Sequence, residues 1–114
     1  MSAITTHVLD TSAGRPAAGV AVHLEREQGT AWETVGRAAT DHDGRVRALV
    51  ADGGSAITAG VYRLTFDVAA YFERSQTRTF YPVVTITFIV EEGQPHYHVP
   101  LLISPFGYST YRGS

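Results

Sequence analysis

Cysteine is missing from all 114 residues, and so is lysine: every one of the nine basic residues is an arginine. Without cysteine there is no disulfide scaffold, no thiol nucleophile and no cysteine-based zinc site. Without lysine, Schiff-base chemistry through a side chain is excluded. An excess of charge of either sign is missing too, because the net charge is −2 at pH 7; nothing points to a nucleic acid or a membrane surface as partner. No apolar run approaches the length of a transmembrane helix. The opening MSAITTHVLD lacks the basic start and apolar stretch of a signal peptide. These absences lead us to expect a soluble, cytoplasmic protein. The Gly-x-Ser-x-Gly nucleophile elbow and the phosphate-cradling glycine loop are absent as well.

What is present is strand chemistry. The length suits one domain spanning residues 1–114, able to bury roughly two thirds of its unfolded surface without staples. In residues 4–10, Ile4, Thr6 and Val8 alternate with Thr5, His7 and Leu9. Val20, Val22 and Leu24 alternate with Ala21, His23 and Glu25, and residues 32–40 form a weaker strand whose Gly36 marks a bulge or a close backbone approach. Asp43-Gly44 is the strongest turn signal; it joins two strand-like runs as a hairpin would and sets Arg45 just after the turn. Residues 46–50 read as a short strand and 51–60 as a small-residue loop. Tyr62, Leu64, Phe66 and Val68 share one face of the next strand, and residues 82–91 are the most β-prone run of the chain. Only residues 69–76 read as helix. The expected fold is all-β: an antiparallel sandwich of about seven to eight strands with one short helix.

Residues 96–114 are where the chain departs from a plain scaffold. Tyr97, Val99, Leu101 and Ile103 fall on one face and His96, His98, Pro100 and Leu102 on the other; Ser104-Pro105-Phe106-Gly107 then turns into Tyr108-Ser109-Thr110-Tyr111. Of the five histidines, His23 and His42 read as surface residues, whereas His7, His96 and His98 alternate against apolar strand faces. A three-histidine metal site is one reading of these three, but its spacing is common by chance and a functional metal is not expected. General acid–base chemistry is the other, with Arg45 or Arg112 steadying charge on a carbonyl oxygen.

Longer motifs carry a resemblance. Thr6-His7-Val8-Leu9-Asp10 with Gly14-x-Pro16-Ala17, Thr40-x-x-x-Gly44-Arg45, Tyr62-x-Leu64-x-Phe66, Phe80-Tyr81-Pro82, His98-Val99-Pro100-Leu101-Leu102 and the closing Tyr111-Arg112-Gly113-Ser114 resemble the transthyretin-related 5-hydroxyisourate hydrolases of purine catabolism. The match runs from about Ile4 to the last residue. The resemblance implies a transthyretin-like sandwich assembled as a homotetramer of two dimers, with active sites at the dimer–dimer interface. It implies hydrolytic opening of 5-hydroxyisourate in urate degradation, with His7, Arg45 and His98 as the catalytic group. Tyr111, Arg112, Gly113 and Ser114 would shape the substrate pocket, and no cofactor is implied. His96 matches less firmly. The rival expectation is a transthyretin-like carrier that holds a small ligand without catalysis.

Overall fold

The computed structural model describes residues 4–47, 49 and 57–114, which form two β-sheets and one short helix. The first sheet holds β1 (Ile4–Asp10), β2 (Arg15–Pro16), β5 (Arg45–Val46), β8 (Tyr97–Ser104) and β9 (Gly107–Thr110). The second is β4-β3-β6-β7, from β3 (Ala21–Gln28), β4 (Ala31–Ala39), β6 (Gly60–Phe66) and β7 (Val84–Val90). The expected alternation holds. Ile4, Val8, Leu101 and Ile103 from one sheet and Leu24, Tyr62, Leu64 and Phe66 from the other are fully buried in one cluster. Their neighbours along each strand face outward, as a pleat with a period of two residues requires.

Three features differ from the reading of the sequence. β1 and β8 run parallel, with Thr5 opposite His98 and His7 opposite Pro100, in a sandwich whose other pairings are antiparallel. Alternation says which face a residue takes, but not which strand lies beside it. The Asp43-Gly44 turn does not close a hairpin. β4 belongs to the second sheet, whereas β5 pairs with β1 in the first, so the turn carries the chain across the sandwich. Gly44 has φ of 77° and its carbonyl accepts from Val8 N–H at 2.7 Å; a Cβ there would sit 2.3 Å from the Val8 oxygen, so only glycine lets the turn dock on β1. Finally, the short strand expected over residues 46–50 stops at Val46 among the described residues, and residues 48, 50 and 51–56 of that run and the following loop lie outside them.

The helix, α1, spans Val68–Glu73 rather than 69–76. Asp67 caps it by accepting from Ala70 N–H, and Val68 and Phe72, one turn apart, bury its inner side. Beyond Glu73 the Arg74 guanidinium donates to the Ala18 and Gly19 carbonyls, and Gln76 takes a left-handed φ of 54°, so the helix cannot continue.

Gly36 answers both halves of its expectation. The register between β3 and β4 slips so that Val35 is an extra residue, and a Cβ on Gly36 would overlap the Leu49 carbonyl. We therefore expect Gly36→Ala to destabilise the fold by about 1–3 kcal/mol, read as a lower urea midpoint with an unchanged slope.

Candidate functional site

The chemistry-bearing side chains meet on the outer face of the first sheet. β1 presents Thr5 and His7 there, β8 presents His98 and Pro100, and β5 brings Arg45 directly opposite His7. Directly opposed residues have Cβ atoms only about 4.5–5.5 Å apart. His7 and Arg45 are thus immediate neighbours, and the Thr5–His98 pair lies two residues further along β1. The turn before β5 fixes Arg45: the Asp41 carboxylate accepts from the Asp43 and Arg45 amides at 2.9 and 3.0 Å. Arg47 sits 3.8 Å from Asp41 and 4.0 Å from Asp43. Among the described residues Arg45 itself enters no salt bridge.

Hydrogen bonds assign the protons in part. His7 Nε2 lies 2.8 Å from the Asp43 carbonyl. A carbonyl only accepts, so Nε2 carries the proton and, in the neutral ring, Nδ1 keeps the lone pair. His98 Nδ1 lies 2.9 Å from Thr5 Oγ1, which leaves Nε2 as its outward nitrogen. Burial lowers the pKa of His98 below the ordinary 6.5, and the positive charge of Arg45, then of His96 and His7, lowers it further. The ring is therefore a neutral acceptor at neutral pH.

The sign of the pH effect follows. Unfolded His98 takes up a proton at higher pH than folded His98, so this group's contribution to stability is complete above about pH 6.5 and falls away as pH drops below it. Any activity that needs neutral His98 has its acid limb below 6.5. Arg45→Gln removes one cause of the depression, and a histidine NMR titration should show the His98 pKa move up toward 6.5; an unchanged value would dissociate the two residues.

An open hollow of about 380 Å³ adjoins Arg45 and His98, lined also by Thr5, His96 and Ser114; His7, opposite Arg45, stands beside it and does not line it. Gly113, next to Ser114, bridges to β8, its amide donating to the His98 carbonyl at 2.8 Å. A Cβ on Gly113 would lie 2.6 Å from His98 Cδ2, so glycine is what lets the segment close on the ring. Tyr111 and Arg112 are placed elsewhere. They line a gap between the sheet edges with Ile89 and Phe88, and the Arg112 guanidinium stacks 4.6 Å over the Tyr97 ring. Gly113 and Ser114 thus join the histidines within one chain, whereas Tyr111 and Arg112 do not line the hollow.

Thr5 escaped the sequence reading, and His96, noted there beside His7 and His98, was given no role. Thr5 looked like any outward strand threonine, yet its hydroxyl contacts both His98 and His96 Nε2, the latter at 3.1 Å. His96 stacks near His98, with ring centroids 6.4 Å apart. The signal was their shared face, which becomes visible only once β1 and β8 are known to be neighbours.

A larger hollow of about 620 Å³ lies around Asp10, Arg15, Tyr71 and Arg74. Its polar groups are engaged with one another. Tyr71 donates to Asp10 Oδ2 at 2.8 Å, and Ser12 to Oδ1. Burial raises the Asp10 pKa, but those bonds outweigh it and hold the carboxylate below its usual range. This arrangement ties the helix to β1, and size alone does not make it the site. The Asp41, His42 and Asp43 side chains approach one another in the exposed turn, where Arg47 balances the acids; they offer no enclosed metal position.

Residues 4–113 match the model of the HIUase/Transthyretin family. The chain is 47% identical to the 5-hydroxyisourate hydrolase of Caulobacter vibrioides, with both chains covered in full. It is 49% identical, over 97% of its own length, to the uric acid degradation bifunctional protein TTL of Arabidopsis thaliana, and spans 37% of that longer protein. Among solved structures it resembles the 5-hydroxyisourate hydrolase of Klebsiella pneumoniae, with a TM-score of 0.85, 39% identity and coverage of 99% and 100% of the two chains. It also resembles the transthyretin of Sparus aurata, with a TM-score of 0.91, 30% identity and coverage of 99% and 97%. The carrier superposes at least as well as the hydrolase. The backbone alone therefore does not separate catalysis from carriage, and the distinction rests on sequence identity and on the site.

Proposed function

The chain belongs to the HIUase/transthyretin family, and we propose that it hydrolyses 5-hydroxyisourate in urate degradation with His7, Arg45 and His98 as its catalytic group. The observation that carries the roles is the juxtaposition on one sheet face: His7 opposite Arg45, with a neutral His98 beside them. The hydrolase relatives are nearer in sequence than transthyretin, at 47% against 30% identity. A carrier gives no reason for a positioned base.

Water enters between substrate and His98. His98 Nε2 takes one of its protons as the water oxygen bonds to the ring carbonyl carbon, and Arg45 donates to the oxygen that gains negative charge. The C–N bond then breaks, and the proton held on His98 passes to the departing nitrogen, so the histidine ends neutral. His7, with Nε2–H fixed on the Asp43 carbonyl, offers its Nδ1 lone pair to a substrate N–H or to the water. Gly113 and Ser114 border the substrate from the side of β8.

The proposal includes a homotetramer, a dimer of dimers with the sites at the dimer–dimer interface. Two features support it. β7 and β9 end their sheets, and Phe80, Ile89 and Tyr111 are 69%, 67% and 60% exposed close to those edges. The hollow is also open outward, so that a second subunit would cover it and complete it, with Tyr111 and Arg112 available to a neighbouring site. Light scattering should give the mass of four 12.3 kDa chains. A cytoplasmic location fits the cysteine-free composition. The deciding assay follows the ultraviolet absorbance of freshly made 5-hydroxyisourate, corrected for spontaneous decay; no acceleration by the assembled protein would sink the hydrolase and favour the carrier.

A further inference from the structure

Thr5 Oγ1 stands between two imidazole nitrogens, 2.9 Å from His98 Nδ1 and 3.1 Å from His96 Nε2. The two rings lie nearly parallel, 17° apart. A threonine hydroxyl has one hydrogen to give and lone pairs to receive. It cannot donate to both nitrogens. Either one ring donates to the hydroxyl and the hydroxyl donates to the other, or both rings donate to its lone pairs and its hydrogen points away. The tautomers of His96 and His98 are therefore coupled through one oxygen, because His98 Nδ1 and His96 Nε2 cannot both be acceptors.

We propose that Thr5 is a positioning residue of the hydrolytic site, accepting Nδ1–H of His98 and donating its own hydrogen to His96 Nε2, so that the His98 lone pair is held at Nε2. The inference rests on the hydrolase reading above. The position of Arg45 and the proposed chemistry select this arrangement over its reverse, and an unpaired hydroxyl hydrogen disfavours the one in which both rings donate. Arg45 lines the same hollow as His98, and a nearby guanidinium favours a lone pair over an N–H on the outward nitrogen. The chemistry makes the same choice. When His98 takes a proton from water at Nε2 it becomes an imidazolium with N–H on both nitrogens, and the bond from Nδ1 to Thr5 is already in place. In the reverse arrangement Thr5 would have to withdraw its hydrogen from Nδ1 at that moment.

The role is that of the carboxylate which orients a catalytic histidine elsewhere, but filled by a neutral group. A hydroxyl fixes the ring without attracting a proton to it, consistent with burial and the nearby Arg45, His96 and His7 keeping His98 neutral rather than raising its basicity. His96 enters as the acceptor that fixes the direction of the hydroxyl, and it is not itself a reacting group.

The test joins a spectroscopic readout with kinetics on the assembled protein. Nitrogen-15 histidine spectra of the free wild-type protein at neutral pH should show His98 protonated on Nδ1 and His96 protonated on Nδ1. Thr5→Val, which keeps the branched shape and removes the hydroxyl, should let His98 populate both tautomers and lower kcat by up to about 10²-fold, with KM little changed. Thr5→Ser should restore both. The proposal is overturned if wild-type His98 carries its proton on Nε2, or if Thr5→Val leaves tautomer and kcat as they were. A wild-type protein that fails to turn over 5-hydroxyisourate would remove the hydrolase reading instead, while the spectra still decide the hydroxyl bridge.

Discussion

His98→Ala should lose about 10²–10⁴-fold in kcat on 5-hydroxyisourate, with KM within a few-fold of wild type and the oligomer unchanged. The size of the loss follows from what His98 is placed to do. It takes a proton as the C–O bond forms and returns it as the C–N bond breaks, so two barriers rise when it is absent. The small change in KM follows because those interactions exist only in the transition state. Folding should survive. His98 is half-buried on the outer face, and its backbone pairings with Gly113 and with β1 do not need the ring. The same ultraviolet assay checks the result; full activity in this variant would move the base to His7, whose Nδ1 is the other free lone pair.

Arg45→Lys is the second large effect, expected at about 10²–10³-fold in kcat. Lysine keeps the positive charge but loses the planar fork, so one donor replaces several and the developing oxyanion is held at a point rather than along an edge. The charge it retains still keeps the His98 pKa down, so the acid limb of the pH profile should stay where it was. Arg45→Gln, by contrast, should shift that limb upward. The pair of variants therefore separates two functions of one side chain, donating to substrate and keeping its neighbour neutral. Unchanged turnover in Arg45→Lys would reduce Arg45 to a residue that merely follows a turn.

The faces of β1, β6 and β8 were legible in the sequence because alternation is a local property: Ile4, Thr6 and Val8 go inward whatever strand lies beside them. Partners were not legible by the same logic. That Thr5 faces His98 depends on a parallel pairing of residues 93 positions apart, and no periodicity encodes it. The Asp43-Gly44 turn shows the limit from another side. The local chemistry that reverses the chain is the same whether the next strand pairs back or crosses to the other sheet; what decided it was the docking of Gly44 on Val8. For the site, motif resemblance brought His7, Arg45 and His98 to notice, but the hydroxyl that links His98 to His96 has no motif, because an outward threonine on a strand is ordinary until its neighbours are known. The terminal motif divides in space: Gly113 and Ser114 meet the histidines, while Tyr111 and Arg112 turn to the sheet edge.

The parallel partnership of β1 and β8 also has a bearing on how the chain acquires its shape. β8 lies between β1 and β9 in the middle of its sheet, yet in chain order it comes after every described strand except β9. Until it arrives, one edge of β1 is unpaired and the apolar residues of that sheet have only part of their covering. Closing a contact between residues some ninety positions apart costs entropy before it returns any packing, so folding should be slow for a domain of this size, in the range of milliseconds to seconds. The waiting edge of β1 is then the place where a growing chain is most exposed to mispairing.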